Sequence, residues 1–161
     1  MANSHGVEVM VDGAHCVGMF DFSIDDFNCD YYGSSLHKWL ATPLGAGLLY
    51  VNKNKTHGLW PLLANGNHDQ TDINRLNHIG THPVHTDLAI SNSIDYLNWL
   101  GIKRKEKRMR FLQRYWSDRL RNIENVIVNT PEDINRSCGI GNVGLCLLYT
   151  SDAADERSWG G

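Results

Sequence analysis

Short apolar runs separated by Gly-containing polar turns fill the first third of the chain, and helical periodicity follows in the middle. Residues 7–11, 29–32 and 47–51 are rich in Val, Tyr and Leu and predict three strands, preceded by a helix end over residues 1–5 that Gly6 closes. Two amphipathic stretches predict helices, and two later apolar runs predict strands: 84–100, 102–122, 125–129 and 140–145. Strands that alternate with helices indicate an α/β or α+β protein.

Residues 56–83 are rich in Gly, Asn, His and Pro and have no sustained period, so we predict an extended loop there. A loop of this length inside a compact domain usually has a function. The helix that follows has Ile90, Ile94 and Leu97 on one face and ends at Gly101.

Composition places the chain among ordinary globular proteins. Its 161 residues are about one domain's worth, and 42% of them are hydrophobic. No apolar run approaches the roughly 18 residues of a membrane span, and no signal peptide is recognisable. The four cysteines form no CxxC pair, which fits a reducing cytoplasm. Disorder, a coiled coil and membrane insertion are therefore not expected.

Charge is unevenly distributed, because residues 1–38 are acidic and residues 103–121 contain nine basic and two acidic side chains. A basic block can bind nucleic acid. Here apolar residues thread the block at helical spacing, namely Ile102, Met109, Leu112, Trp116, Leu120 and Ile123. A solvated helix face is therefore the preferred interpretation, and no nucleic-acid partner is predicted.

The last residues depart from this pattern. From Cys146 the sequence reads CLLYTSDAADE and then RSWGG, which resembles a translated library adapter more than a protein segment. Residues 146–161 are therefore interpreted as a non-native tail, with a natural disordered tail as the alternative.

Lys38 is flanked by Leu36, Trp39 and Leu40, which favours a lysine shielded from solvent. Burial disfavours the ammonium form and makes the neutral, nucleophilic amine accessible, as a Schiff-base lysine requires. The alternative is a lysine whose stem covers apolar surface while its amine reaches water. Composition alone favours that alternative.

Asp12 follows a strand of alternating Val and Met, at the end where α/β sheets place functional groups. Pyridoxal phosphate chemistry needs a carboxylate that keeps the pyridine nitrogen protonated. Ser34, Ser35 and His37, beside Lys38, offer hydrogen-bond donors for a phosphate. Taken singly, an Asp that ends a strand is more often a turn or helix-cap residue, and serines in a strand-to-helix turn are usually caps.

The order and spacing of these segments resemble the class V aminotransferase family, and within it the isopenicillin N epimerase-like branch. The resemblance covers about residues 1–145 and rests on VDGAH (11–15), DYYGSSLHKW (30–39), GAGLLYV (45–51), GTHP (80–83) and RSCGI (136–140). It implies an α/β fold, with the mixed, mostly parallel sheet of the fold-type I pyridoxal-phosphate large domain. Residues 1–101 would belong to that domain, and residues 102–145 to a connecting helix and the start of a small domain.

The resemblance also implies roles for individual residues. Lys38 matches the Schiff-base lysine that moves the proton between Cα and the cofactor. Asp12 matches the acid that pairs with the pyridine nitrogen, and His15 the residue that bonds the phenolic oxygen. Ser35 and His37 match residues that contact the phosphate.

Thr81 matches a threonine that reaches the phosphate bound by a neighbouring subunit, so a homodimer is implied. An enzyme of this family acts on an amino-acid-like substrate and is two to three times longer than this chain. Parts of it are therefore expected before Met1 and after Leu145.

His15 stands where cysteine desulfurases of this class commonly have Gln, which favours an aminotransferase or an epimerase-like enzyme. A cysteine desulfurase or lyase of the same family is the alternative. A metal-dependent hydrolase is the rival from another class, since the spacing of His78, His82 and His85 would suit zinc on a helix. Gly80 and Pro83 interrupt that helix, so no metal site is predicted.

Overall fold

The computed structural model describes residues 1–63, 66 and 69–145. The chain divides into two compact units, Met1–Lys103 and Arg104–Gly161. In chain order the strands and α-helices are β1 (Met10–Asp12), β2 (Tyr31–Ser35), β3 (Gly47–Val51), α1 (Val84–Leu100), α2 (Ile102–Leu120), β4 (Val126–Val128) and β5 (Val143–Leu145). The predicted tail, 146–161, lies outside the described residues. No helix within the described ranges is long and apolar enough to cross a membrane.

The first unit contains a mixed three-stranded sheet in the order β1-β2-β3. Strand β1 runs parallel to β2 with Asp12 opposite Gly33, and β3 runs antiparallel to β2 with Gly47 opposite Ser35. Strand β3 has the bounds that the sequence predicts, whereas β1 and β2 begin later than predicted. The pairing of β2 with β3 continues through Ser35, a residue expected to lie in a turn.

The polar end of β2 is a strand because both of its edges are paired. Gly33 and Ser35 lie opposite residues of β3, and the backbone of Gly13 donates to the Gly33 carbonyl at 2.8 Å. Backbone pairing on two sides outweighs the low strand propensity of Gly and Ser. The paired end of β2 therefore carries the chain directly to Lys38.

The core of the first unit packs the segment after β2 against helix α1. Leu36, Leu40 and Ala46 are buried, and Val17, Ile90 and Leu97 pack against them. The predicted core positions Ile90 and Leu97 are thus confirmed, but Ile94 is exposed in the described part of the chain. Tyr32, which is 1% exposed, lies beside the rings of Phe22 and Phe27 on the buried face of β2.

The predicted loop over residues 56–83 contains more regular structure than expected. Short 3₁₀ helices span Lys53–Gly58 and Ile73–Leu76, and the side chains of Asn52 and Asp72 cap them. The buried guanidinium of Arg75 donates to the carbonyls of Thr56 and Leu59 at 2.7 and 2.6 Å. This arginine therefore fastens the second 3₁₀ helix to the start of the loop. Residues 64, 65, 67 and 68 of the loop lie outside the described residues.

In the second unit, β4 and β5 form an antiparallel pair, and arginines of α2 and the turn after it bind backbone carbonyls. Arg110 donates to Ile134 and Ser137, and Arg121 donates to Thr130 at 2.6 Å. Both arginine side chains are 20% exposed. The expectation of a plain solvated basic face is wrong at these positions, because their guanidinium groups hold the segment between β4 and β5.

Candidate active site

The candidate site lies where the parallel strands β1 and β2 end side by side. Asp12 closes β1 and is exposed, and the register places it opposite Gly33 of β2. Its Oδ1 accepts from the backbone N–H of Ala14 at 3.0 Å, whereas its Oδ2 has no hydrogen-bond partner among the described residues. One carboxylate oxygen therefore remains available to a ligand.

The sheet beside Asp12 has an open surface. A Cβ placed on Gly33 would meet no atom within 4 Å. Ser35, two residues further along β2, lies on the same face of the strand and is half-buried. Ser34 points to the opposite face, where its buried hydroxyl donates to the Gly13 carbonyl at 2.8 Å. The predicted phosphate donor Ser35 thus faces the same side as Asp12, and Ser34 has a structural role.

Two glycines place the turn that follows β1. A Cβ on Gly13 would lie 2.1 Å from the ring of Tyr32, so only glycine lets this turn lie on β2. Gly18 has a φ of +79°, and a Cβ there would lie 2.7 Å from the backbone nitrogen of Leu40. These close approaches fix residues 13–18 against β2 and against the segment after it. His15, in the middle of the turn, is carried to Lys38 as a result.

Lys38, His15 and Trp39 form a row of hydrogen bonds. The Nζ of Lys38 lies 3.0 Å from Nε2 of His15, and the indole Nε1 of Trp39 donates to Nδ1 of the same ring at 3.1 Å. The two rings are tilted by 60° with centroids 6.2 Å apart. The sequence analysis expects His15 and Lys38 to contact one ligand. The structure shows that the two side chains also hydrogen-bond to each other.

Lys38 is exposed in the described part of the chain, although Leu36 and Leu40 beside it are 4% and 5% exposed. The expectation that its apolar neighbours shield it from solvent is therefore wrong here. Those neighbours turn into the core, while Lys38 turns away from it.

His37 hydrogen-bonds through Nδ1 to the Ala46 carbonyl at 3.2 Å. A carbonyl only accepts, so Nδ1 carries the hydrogen and Nε2 is left for another partner. A neutral His37 would present an acceptor there and would not suit a phosphate. Contact with a phosphate through Nε2 therefore requires the imidazolium form.

Thr81 is exposed in the turn before α1, and no hydrogen bond of the described residues joins it to Lys38, His15 or Asp12. Its predicted role toward a neighbouring subunit stays a prediction.

A protonated thiol and phenol lie beneath this surface. Burial is the main cause that raises the pKa of Cys16, and the negative charge of Asp12 raises it further. Burial likewise raises the pKa of Tyr32 to about 12. Both groups are therefore neutral near pH 7, and Cys16 lacks the thiolate that a nucleophile needs.

Sequence reasoning did not assign functional roles to Trp39, Gly13 and Gly18. The available signal was the pair of glycines on either side of His15 in GAHCVG. Glycines at such spacing can mark a close approach of two backbones.

The histidines at 78, 82 and 85 do not share a helix, because α1 begins at Val84. His82 instead lies 3.1 Å from Asp87 and 3.2 Å from the Gly80 carbonyl. Within residues 1–63, 66 and 69–145, no group of three or more His, Cys, Asp or Glu side chains could hold a metal ion.

The fold and site define an α/β protein with a lysine and a carboxylate at the ends of adjacent parallel strands. The chain belongs to the class V aminotransferase family, whose model matches residues 1–155. This family consists of enzymes that depend on pyridoxal phosphate.

Curated relatives include two kinds of enzyme. An isopenicillin N epimerase of Amycolatopsis lactamdurans is 31% identical over 134 residues, which are 74% of this chain and 34% of the relative. A cysteine desulfurase of Haloferax volcanii is 26% identical, over 94% of this chain and 37% of the relative. The chain thus spans roughly a third of the length of these relatives.

Solved structures agree with the fold. The cysteine desulfurase CsdA of Escherichia coli matches with a TM-score of 0.75 and 25% identity, over 94% of this chain and 39% of that chain. A cysteine desulfurase of Thermococcus onnurineus matches with a TM-score of 0.71 at 19% identity, over 98% of this chain and 41% of that chain. The predicted family and fold class are confirmed.

Proposed function

We propose that this chain carries the cofactor-binding lysine of a pyridoxal-phosphate enzyme that acts at Cα of an amino acid, as an aminotransferase or an isopenicillin N epimerase-like enzyme. The observation that carries the proposal is the position of Lys38. Its amine lies 3.0 Å from Nε2 of His15, in the turn that directly follows Asp12. The likeness to an isopenicillin N epimerase at 31% identity supports the same activity class.

The described residues fit pyridoxal phosphate. Asp12 offers a carboxylate oxygen without a partner among the described residues, Gly33 leaves open space beside it, and Ser35 lies on the same face of β2. When bound, the cofactor supplies an aldehyde carbon that joins to an amine and a ring that accepts the electron pair left at Cα.

Each side chain then has a definite task. Asp12 accepts a hydrogen bond through Oδ2 and so keeps a ring nitrogen protonated. Lys38 holds the cofactor through Nζ and, once released, takes and returns the Cα proton at the same atom. His15 orients the cofactor by donating through a ring nitrogen to the phenolic oxygen. Ser35 and the imidazolium of His37 bind the phosphate.

A cysteine desulfurase or lyase is a second candidate with equal support. The Haloferax volcanii relative and the Escherichia coli structure are both cysteine desulfurases. Assays on the longest protein that carries this chain separate the two: release of sulfur from cysteine supports the desulfurase, whereas inversion at Cα or keto-acid formation supports the first candidate.

The partners follow from the proposed activity. We infer an amino-acid-like substrate and a homodimer in which Thr81 serves the site of the neighbouring subunit. We also infer a cytoplasmic location, since Cys16 and Cys29 are free thiols, as expected in a reducing compartment.

The test of the proposal is Lys38→Ala, compared with Lys53→Ala. Both lysines are exposed, but Lys53 lies in the 3₁₀ helix after β3 and has no role in the site. Lys38→Ala should abolish the visible absorbance that wild type develops with pyridoxal phosphate, and borohydride should no longer attach the cofactor to the peptide around residue 38. Lys53→Ala should behave as wild type. Cofactor trapped on another residue in wild type would contradict the proposal.

A further inference from the structure

The row Trp39–His15–Lys38 fixes where His15 carries its hydrogen. An indole nitrogen can only donate a hydrogen bond. Because Nε1 of Trp39 points at Nδ1 of His15 at 3.1 Å, Nδ1 must act as an acceptor and bear no hydrogen. A neutral imidazole then carries its hydrogen on Nε2.

The same row constrains Lys38 at its other end. Nε2–H of His15 is a donor and lies 3.0 Å from Nζ of Lys38. An ammonium group has three donors and no acceptor, whereas a neutral amine has a lone pair. Both hydrogen bonds of His15 can therefore form together only when Lys38 is uncharged. If Lys38 is charged, His15 can keep only one of its two hydrogen bonds, either the one with Trp39 or the one with Lys38.

We propose that Trp39 is a positioning residue that holds His15 in the Nε2–H tautomer and thereby favours the neutral, nucleophilic amine of Lys38. The inference rests on the proposed function, in which that amine must attack an aldehyde carbon. Because Lys38 is exposed, burial is not what would favour its neutral amine. Once Lys38 is engaged, the same tautomer leaves a donor on His15 for an oxygen of the ligand.

The backbone around Trp39 is suited to this role. Gly18 lies against the Trp39 carbonyl carbon and the Leu40 nitrogen, so close that its Cβ would be within 2.8 Å of both. The turn that carries His15 is thus held directly against the residue that donates to it. The hydrogen bonds of His15 therefore join the turn after β1 to the segment after β2, and the close contact at Gly18 already sets the distance between these two segments.

The test uses the longest protein that carries this chain, purified without cofactor. Isotope-labelled acetic anhydride acetylates neutral amines, and mass spectrometry compares Lys38 with Lys53 as an internal reference. Trp39→Phe keeps the ring but removes the N–H, and should slow acetylation of Lys38 at pH 7.5 about fivefold, the effect of one hydrogen bond of about 1 kcal/mol. The rates of variant and wild type should converge at high pH, where both amines are neutral.

Two further variants make the test specific. Trp99→Phe removes an indole that is 79% exposed on α1, and should leave the Lys38 rate unchanged. His15→Leu should slow acetylation as Trp39→Phe does, and the double variant should be no slower than either, because both act through one row. Equal slowing by Trp99→Phe, or additive effects in the double variant, would overturn the proposal.

A measurement without any variant at residue 39 completes the test. Nitrogen-15 spectra of labelled histidine, with the His15 signals assigned by their loss in His15→Leu, should give the Nε2–H tautomer at neutral pH. The Nδ1–H tautomer or an imidazolium would overturn the inference. Because the cofactor is absent, these results stand even if cofactor trapping on Lys38 fails and the proposed function is wrong.

Discussion

At the scale of single residues, the turn after β1 brings His15 within hydrogen-bond distance of Lys38 and Trp39. Asp12 was predicted at the end of a strand and closes β1. The hydrogen bonds of His15 to Lys38 and Trp39 depend on side-chain rotamers and on a turn that two glycines place. No periodicity encodes such a contact, because it arises only when β1 and β2 have paired.

Gly18 gives a direct test of that turn. Gly18→Ala should destabilise the protein by about 1–2 kcal/mol from the left-handed backbone alone, and by more from the clash with Leu40. Urea unfolding followed by circular dichroism measures this change. Gly58→Ala is the matched control, since a Cβ there meets no atom within 4 Å. Similar loss of stability in both variants would contradict the packing described for the turn.

At the scale of elements, the sequence predicted the helices and strands whose ends are set by residues close to them in the chain. Helix α1 was predicted over its observed residues, and α2 to within two residues of its end, because Gly101 separates two amphipathic stretches. The limits of β1 and β2 are not local. Val7 to Val9 have strand-forming composition, yet β1 begins at Met10, where its pairing with Tyr31 of β2 begins. Pairing therefore decides the strand ends, and composition does not.

The segment before β1 is fastened to the start of β2 and the 3₁₀ helix after β3 by an exposed charge cluster. Glu8 accepts from Nζ of Lys55 at 2.9 Å and from the hydroxyl of Tyr31 at 3.0 Å. The hydrogen bond from Lys55 is the main cause that lowers the pKa of Glu8, and that from Tyr31 adds to it. A carboxyl with a lowered pKa stabilises the fold above its unfolded pKa.

This stabilisation should be lost as pH falls below the ordinary range of a glutamate and through the lowered pKa of Glu8. Glu8→Gln should therefore unfold more easily than wild type at neutral pH, and the difference should vanish in acid. Thermal unfolding between pH 3 and 7 measures it. Asp25→Asn, which changes an exposed carboxyl outside this cluster, should not reproduce the pattern. A constant difference at every pH would contradict the assignment.

At the scale of the whole molecule, the family could be predicted because its short motifs keep their order and spacing along the chain. The particular reaction could not, because this chain spans roughly a third of the relatives it matches and they include both epimerases and desulfurases. Identical first steps at Lys38 would serve either activity. The groups that separate the outcomes must be sought with the longest protein that carries this chain.

The proposed homodimer can be tested by mixing two defective variants. Lys38→Ala lacks the proposed cofactor lysine, and Thr81→Ala should bind the cofactor about tenfold more weakly, the effect of one hydrogen bond to a charged phosphate. If Thr81 serves the neighbouring subunit, a hybrid dimer has one complete site and regains tight binding. Cofactor content after subunits exchange is the measurement. Absence of recovery in confirmed hybrids would mean that Thr81 does not act across the interface.

The register of the sheet also has a consequence for the order of folding. The turn that carries His15 and the segment with Lys38 and Trp39 are brought together by the pairing of β1 with β2, which joins Met10 to Tyr31 and closes a loop of only about 20 residues. Closing so short a loop costs little chain entropy compared with contacts between distant segments. The hydrogen-bond row of His15, Lys38 and Trp39 can therefore begin to form as a local event, from contacts within residues 10–39.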